Sequence, residues 1–378
     1  MKESTFDTGS SDSQGTWVTP IPVSSFDLDA YAEYCAGLDE NCGRFWASSR
    51  GTLVHRRFRI PQVYAGPCQD MELSLGLQLS ALKQSMDFAM DVPNFLEPWY
   101  GIGVIPSAYG AEYIWNKDLA PVTLPLFRTV EEALAAESVP AANTPVGRHI
   151  LNMIEYFLEK TGGKVPVSLS DLQSPLNATA SLVDTSEFYI AFLEEPEKVK
   201  QLLERITDLT IDFYKKQIGI IGKSLVFPGH GFASSRAFSG MGFSDDDSAM
   251  LSPQTHLDIC GPSMVRFGEA FGGFAFHSCG NWAMKSETVK TLPGLKMIDG
   301  AFTPQTDPAP NPTGPFVDSF AATGVCVNAR MVGAGEEVLR KTAELQKPGM
   351  KLIVVTYCSS IEEQKKVYGE IHSSAFAS

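Results

Sequence analysis

Residues 273–279 read GFAFHSC, a short apolar run that ends in two chemically reactive side chains. Such runs recur along the chain, and longer amphipathic stretches separate several of them. The predicted strands are RIPQVYAG (59–66), GIGVIPSAY (101–109), KVPVSLSD (164–171), SLVFPGH (224–230), GFAFHSC (273–279), LKMIDGA (295–301), GVCVNARM (324–331) and LIVVTYC (352–358). Alternation of this kind is typical of a parallel sheet with crossover helices. Eight such units predict an α/β protein whose sheet closes into a (β/α)8 TIM barrel.

The stretches between the runs support this fold. Residues 70–90 have apolar side chains spaced by three and four, residues 196–221 open with proline in the first turn, and Ser252 is a candidate N-cap for residues 252–272. An open doubly wound sheet is the alternative, but no G-x-G-x-x-G follows a predicted strand, which argues against its nucleotide-binding form. We assign residues 1–57 to a disordered or helical N-terminal extension and residues 58–378 to the barrel.

Composition narrows the class of protein. Of the 378 residues, 44% are hydrophobic and 20% charged, which is ordinary for a globular chain, and the net charge of −14 argues against a nucleic-acid partner. The N-terminus has no apolar stretch of signal-peptide length, and no run of membrane-spanning length occurs. Seven scattered cysteines do not suggest a disulfide framework. We therefore predict a cytoplasmic enzyme without membrane association.

Polar residues cluster where the predicted strands end, which is where the chemistry of a TIM barrel lies. Strands also end simply where polar sequence resumes, so apart from the His277 and Cys279 pair no single residue of this set is decisive. The residues are Asp171 and Gln173, His230, His277 and Cys279, Asp299, Arg330, Cys358, and the acidic loop 245–247 after the fourth run.

His277 and Cys279 form the sharpest local signal. Residues two apart on a strand point to the same side, so an imidazole and a thiol would converge. A Cys/His mixture favours zinc over magnesium or calcium, although a buried structural pair is the plainer interpretation. For a distant third ligand, Cys358 closes the last run at the same end of the barrel. Its competitor Cys326 lies inside an apolar run and is expected to pack as a small hydrophobic residue.

The sequence His277-Ser278-Cys279-Gly280-Asn281, with Cys358 downstream, resembles the zinc motif of cobalamin-linked methyltransferases of the methylcobamide:coenzyme M type. These enzymes belong to the uroporphyrinogen decarboxylase superfamily of (β/α)8 barrels. Residues 165–208 resemble its third-strand region and the helix that begins with proline, and residues 244–264 resemble its Asp-rich loop and Ser-Pro helix start. The resemblance extends over roughly residues 60–375.

This resemblance implies a zinc-dependent transfer of a methyl group from a methylcobalamin-carrying corrinoid protein to a small thiol. His277, Cys279 and Cys358 would hold Zn²⁺, with a fourth position open to the thiol. Asp171 and Gln173 would orient the methyl donor or form a hydrogen bond to a ligand in the barrel mouth. The structural alternative is that they cap the following segment. The predicted substrate-binding residues, each with a plainer structural alternative, are Glu97, His230, Asp246 and Arg330. The resemblance also implies a possible homodimer.

Three alternatives remain open. The chain would be a porphyrin-pathway decarboxylase, a non-catalytic partner of a corrinoid protein, or a demethylase component that acts on methoxylated compounds. Against the decarboxylase, the predicted first strand RIPQVYAGP has no arginine after Arg59, the predicted second strand GIGVIPSAYG has no acid, and Cys358 stands where that enzyme has a Gly-His pair.

Overall fold

Six parallel strands form one sheet within residues 14–116 and 119–375, the part of the chain that the computed structural model describes. The strands are β1 (Gly51–Arg56), β2 (Met241–Ser244), β3 (Phe274–His277), β4 (Leu295–Ala301), β5 (Cys326–Met331) and β6 (Lys351–Thr356). Their order is β1-β6-β5-β4-β3-β2, so the first and last strands in the sequence are neighbours. This adjacency of first and last strand is what a barrel requires.

Extended segments continue the ring between the edge strands β1 and β2. The amide of Asp91 donates to the carbonyl of Val54 in β1 at 2.8 Å. Single parallel bridges then join Leu96 to Val167 and Val167 to Leu225. The amide of Gly242 in β2 donates to the carbonyl of Pro228 at 3.1 Å. Backbone contacts therefore run around the whole ring, which supports the predicted barrel even though the regular sheet is open over this arc.

The helices lie mainly in the connections between strands, as crossover geometry demands. Two of them have clear capping signals: Asp70 and Thr144 each cap the start of a helix through their side chains, and left-handed Gly162 ends the helix that Thr144 begins. The helices are α1 (Leu28–Ala47), α2 (Met71–Ser85), α3 (Val104–Ala108), α4 (Val130–Ala135), α5 (Pro145–Thr161), α6 (Pro175–Ala180), α7 (Thr185–Glu194), α8 (Pro196–Ile221), α9 (Pro253–Thr255), α10 (Gly261–Phe271), α11 (Ser286–Val289), α12 (Thr313–Phe320), α13 (Gly335–Leu345) and α14 (Ile361–Ala375). No helix among the described residues is both long and apolar enough to cross a membrane.

The four strands predicted in the second half of the chain are confirmed, because β3, β4, β5 and β6 lie within or next to them. The strands predicted in the first half of the chain are in part wrong. Residues 61–64 form a 3₁₀ turn and residues 104–108 form α3, whereas β1 lies at 51–56, inside the stretch assigned to the N-terminal extension. The runs at 164–171 and 224–230 contribute only isolated bridges, and β2 follows the second of them. Residues 1–13 of the extension lie outside the described residues.

Side chains alternate along the strands between two apolar clusters. On β6, Ile353 and Val355 pack inside the barrel with Leu53, Ala275, Met297 and Cys326. The intervening Leu352 and Val354 pack outwards against the surrounding helices. Cys326 is fully buried in the inner cluster, as predicted for a small hydrophobic residue. The inner cluster fills the barrel below the polar residues of the strand ends.

Candidate metal centre and polar clusters of the barrel mouth

His277, Cys279 and Asp246 converge at the carboxyl ends of β2 and β3. One potential ligand atom from each lies within 4.8 Å of the other two. The Sγ atom of Cys279 is 3.4 Å, and Oδ1 of Asp246 is 3.5 Å, from Nε2 of His277. The backbone amide of Cys279 also donates to Oδ1 of Asp246 at 2.6 Å. The sequence thus placed the histidine and the cysteine together correctly, while the structure adds an aspartate as the third donor.

Asp299 fixes the opposite nitrogen of the same imidazole. Its Oδ2 lies 2.5 Å from Nδ1 of His277 and accepts from Nε of Arg330 at 2.8 Å. Asn328 donates to its other oxygen. The sheet register produces this group, because His277 pairs with Asp299 and Asp299 pairs with Asn328. A carboxylate behind a histidine orients the ring and leaves Nε2 free to face a metal.

In this group the ionised forms of His277 and Asp299 are favoured although both side chains are largely buried. Burial disfavours the imidazolium, but the hydrogen bond and charge of Asp299 outweigh it and raise the pKa of His277 to about 10. Burial raises the pKa of Asp299, yet Arg330 and His277 together hold it below its usual range. The Nη2 atom of Arg330 is buried and has no hydrogen-bond partner among the described residues. Arg330 therefore supports Asp299 and retains donor capacity toward the barrel interior.

The three consecutive aspartates after β2 have different partners. Asp245 is fully buried, and its Oδ2 lies 2.6 Å from Nε2 of His256. Its amide donates to the carbonyl of His277 at 2.8 Å. Asp247 accepts from the hydroxyl of Tyr189 at 2.8 Å. The partners of Asp245 and Asp247 on either side hold Asp246 beside the histidine and cysteine.

Cys358, the predicted third metal ligand, does not join this group. It packs with the outward cluster, as Leu352 and Val354 do, whereas Tyr357 follows the inward positions 353 and 355. Its carbonyl accepts from Nε of Arg56 at 2.7 Å, and burial raises the pKa of its thiol to about 11. Cys358 does lie at the predicted end of the barrel. Because side chains alternate along a strand, however, its thiol is on the outward face rather than the inward one.

A second polar cluster lies at the barrel mouth on the arc between β1 and β2. His230 contacts Oε1 of Glu97 through Nδ1, and its Nε2 lies 3.8 Å from Oδ2 of Asp171. The hydroxyl of Tyr64 donates to Oε2 of Glu97 at 2.8 Å, and the side-chain amide of Gln173 donates to Oδ2 of Asp171 at 2.8 Å. Four of the predicted site residues therefore form one network, and Tyr64 is a member that the sequence analysis missed.

The two carboxylates of this cluster have opposite pKa shifts. Burial would raise the pKa of Glu97, but the charge and hydrogen bond of His230 lower it overall. Burial raises the pKa of Asp171, and the weaker contact with His230 does not reverse the effect. Gln173 adopts a left-handed backbone with φ of 63°, which non-glycine residues rarely do. Strain of this kind is concentrated at functional sites.

The two clusters face the same barrel mouth. Phe232, two residues after His230, packs edge-on against the imidazole of His277 with 6.4 Å between ring centroids. Arg57, directly after β1, interacts with both Glu97 and Tyr357, and Tyr357 in turn interacts electrostatically with Arg330. Charged side chains therefore line the mouth from Asp171 round to Asp246. Arg57 was missed because β1 was predicted too late in the sequence.

The potential ligand atoms of His277, Cys279 and Asp246 are of the types that bind zinc. A thiol, an imidazole and a carboxylate are all established zinc ligands, and three protein ligands leave a position for a substrate. The carboxylate of Asp299 behind His277 is the support that zinc-bound histidines commonly have. Fold and site together define an α/β barrel with a candidate metal centre at the carboxyl ends of its strands.

Comparisons with known proteins agree with this class. Residues 68–226 match the family model of uroporphyrinogen decarboxylase (URO-D), which confirms the predicted resemblance to that superfamily and supports an enzyme. A solved structure described as a methyltransferase from Methanosarcina mazei has a similar fold, with a TM-score of 0.62 and 14% identity over 94% of this chain and 100% of that one. Comparison with curated proteins gives no sequence match.

Proposed function

We propose that this protein is a zinc-dependent methyltransferase that moves a methyl group from a methylated corrinoid protein to a small thiol. The observation that carries the proposal is the convergence of Nε2 of His277, Sγ of Cys279 and Oδ1 of Asp246 within 4.8 Å, with Asp299 behind the histidine. Similarity in fold to a methyltransferase and the URO-D match support the same assignment.

His277, Cys279 and Asp246 would hold the metal in this proposal, with Asp246 in the role first given to Cys358. Bound zinc would lower the pKa of a substrate thiol, so that a nucleophilic thiolate is available at neutral pH. Asp299 keeps Nε2 of His277 directed at the ligand group, and Arg330 keeps Asp299 ionised.

The remaining predicted residues line the substrate space. Glu97 and His230 would contact the thiol substrate, and Asp171 and Gln173 would orient the methyl donor. Buried Nη2 of Arg330 offers a donor to a substrate anion. We keep a cytoplasmic location, a corrinoid-protein partner and a possible homodimer as predictions.

The test uses purified untagged protein, zinc analysis, and free methylcobalamin with 2-mercaptoethanol. We expect about one zinc per chain and thiol-dependent loss of methylcobalamin absorbance that Cys279→Ser abolishes. Cys42→Ser, a buried thiol in the inner cluster, is the control and should retain demethylation. A zinc-loaded protein that neither binds the thiol nor demethylates cobalamin would contradict the proposal.

Uroporphyrinogen decarboxylation is the second candidate, and one observation favours it. Two of the three arguments against it came from segments that are not barrel strands. The actual first strand is followed by Arg57, and the second extended segment ends at Glu97. An anaerobic assay for loss of substrate carboxyl groups from uroporphyrinogen distinguishes the two candidates, because a decarboxylase would turn it over without added thiol or cobalamin.

A further inference from the structure

His230 lies between the carboxylates of Glu97 and Asp171 and is more exposed than either of them. His230 is about a quarter exposed, while its two carboxylate partners are more than nine-tenths buried. One imidazole nitrogen faces each carboxylate. A histidine between two carboxylates, with one edge open to the barrel mouth, can both accept a proton and pass it to solvent.

Glu97 and Asp171 differ in the hydrogen-bond donors and charges that surround them. Glu97 has a hydroxyl donor, an imidazole contact and a permanent positive charge nearby, since Tyr64 donates to it, His230 lies against it and the guanidinium of Arg57 is close. Asp171 has the neutral side-chain and backbone amides of Gln173 and the more distant His230, with Tyr113 and Tyr214 also facing it. Glu97 is thus held ionised, while Asp171 is the carboxylate more ready to hold a proton. Paired groups pushed apart in this way are typical of acid–base sites.

We propose that His230 and Asp171 form the proton acceptor of the site, taking up the proton that the substrate thiol loses on binding. This inference rests on the proposed thiol function. The S–H bond breaks with its electron pair left on sulfur, and the proton moves to the pair formed by Nε2 of His230 and Oδ2 of Asp171. When sulfur forms its bond to the methyl carbon, the electron pair of the carbon–cobalt bond stays on cobalt. The proton then leaves through the exposed edge of His230.

A proton count at thiol binding tests this assignment. Zinc-loaded protein is titrated calorimetrically with 2-mercaptoethanol at pH 7 in buffers of different ionisation enthalpy, which gives the protons released per thiol bound. We expect the wild-type protein to release clearly less than one proton, because the protein retains it. The His230→Gln variant should release about one proton per thiol bound, and Asp171→Asn should also release more than the wild type. Because two variants are measured, the assignment can still be tested if one of them folds poorly.

His372→Gln is the matched control. Like His230, His372 is about a quarter exposed and lies against a buried carboxylate, with Nε2 2.9 Å from Oδ2 of Asp91. It should release the wild-type number of protons. Equal counts in wild type, His230→Gln and Asp171→Asn would overturn the proton acceptor while leaving the thiol function intact. Absence of thiol binding by the zinc-loaded wild-type protein would overturn the proposed function together with it.

Discussion

Nδ1 of His277 lies 2.5 Å from Oδ2 of Asp299, and the two residues are direct register partners on β3 and β4. The contact is therefore built into the sheet rather than into a mobile loop. It assigns the two imidazole nitrogens, because Nδ1 is occupied by a carboxylate and Nε2 is left facing Cys279 and Asp246. Binding sites placed on rigid strands keep their ligands oriented before the ligand arrives.

Replacing Asp299 by asparagine should weaken zinc binding without removing a ligand. Loss of the carboxylate makes the imidazole less basic and less firmly oriented, and such changes typically cost about 10–100-fold in metal affinity. The measurement is zinc affinity by competition with a chelator. Asp208→Asn, an exposed residue paired with Arg266 on the helical surface, should leave the affinity unchanged. Equal affinities of Asp299→Asn and wild type would contradict the supporting role.

Cys279→Ser and Cys358→Ser should differ sharply in metal content. Cys279 is exposed beside His277, whereas Cys358 is buried in the outward cluster. We expect the first variant to lose most of its zinc and the second to retain about one zinc per chain. Elemental analysis after gel filtration gives the ratio directly. Loss of zinc from Cys358→Ser, in a variant with unchanged circular dichroism, would restore that cysteine as a ligand.

His256→Gln should weaken zinc binding from a distance. His256 lies in the π-helical turn His256–Cys260 and contacts Asp245, whose amide binds the carbonyl of His277. Without the imidazole the buried Asp245 loses a strong partner, and the neighbouring Asp246 is held less firmly. We expect about tenfold weaker zinc binding by chelator competition. The control is His149→Gln, whose ring stacks on Tyr100 in another part of the chain. If both variants bind zinc equally well, the loop does not depend on His256.

Acid should destabilise the metal-free protein partly through His55. This side chain is buried with Nδ1 2.9 Å from the carbonyl of Val92, and burial lowers its pKa from 6.5 to about 3. The unfolded chain therefore binds a proton below pH 6.5 that the folded chain excludes. The resulting stabilisation is present above pH 6.5 and is lost as the pH falls toward 3, by up to about 1.4 kcal/mol per pH unit.

His55→Gln tests this dependence because glutamine does not titrate. Urea unfolding at pH 7 and pH 4.5 should show a smaller loss of unfolding free energy in the variant than in the wild type, whatever the absolute stability at pH 7. His372→Gln provides a comparison at an only partly buried histidine. The same pH-dependent loss in wild type and His55→Gln would show that His55 does not contribute.

The sequence by itself determined the fold class, the helices around the late strands and the pairing of His277 with Cys279. These features depend on local patterns: apolar runs of strand length, helical spacing, and the rule that alternate residues share a face. The runs that were misassigned, 59–66 and 101–109, are apolar and short; Pro61 begins a 3₁₀ turn in the first, and Gly103 precedes a short helix in the second. Local apolarity does not distinguish such segments from strands.

Only the tertiary structure decided which distant residues complete each cluster. Asp246 reaches His277 because β2 and β3 are neighbours and Asp245 and Asp247 are held on either side. Cys358 ends at the correct rim of the barrel but on the outward face, because side chains alternate along β6. Tyr64, Glu97, Asp171 and His230 come from separate connections that the ring brings together. Register and strand parity fix these contacts, and neither is a property of a local stretch of sequence.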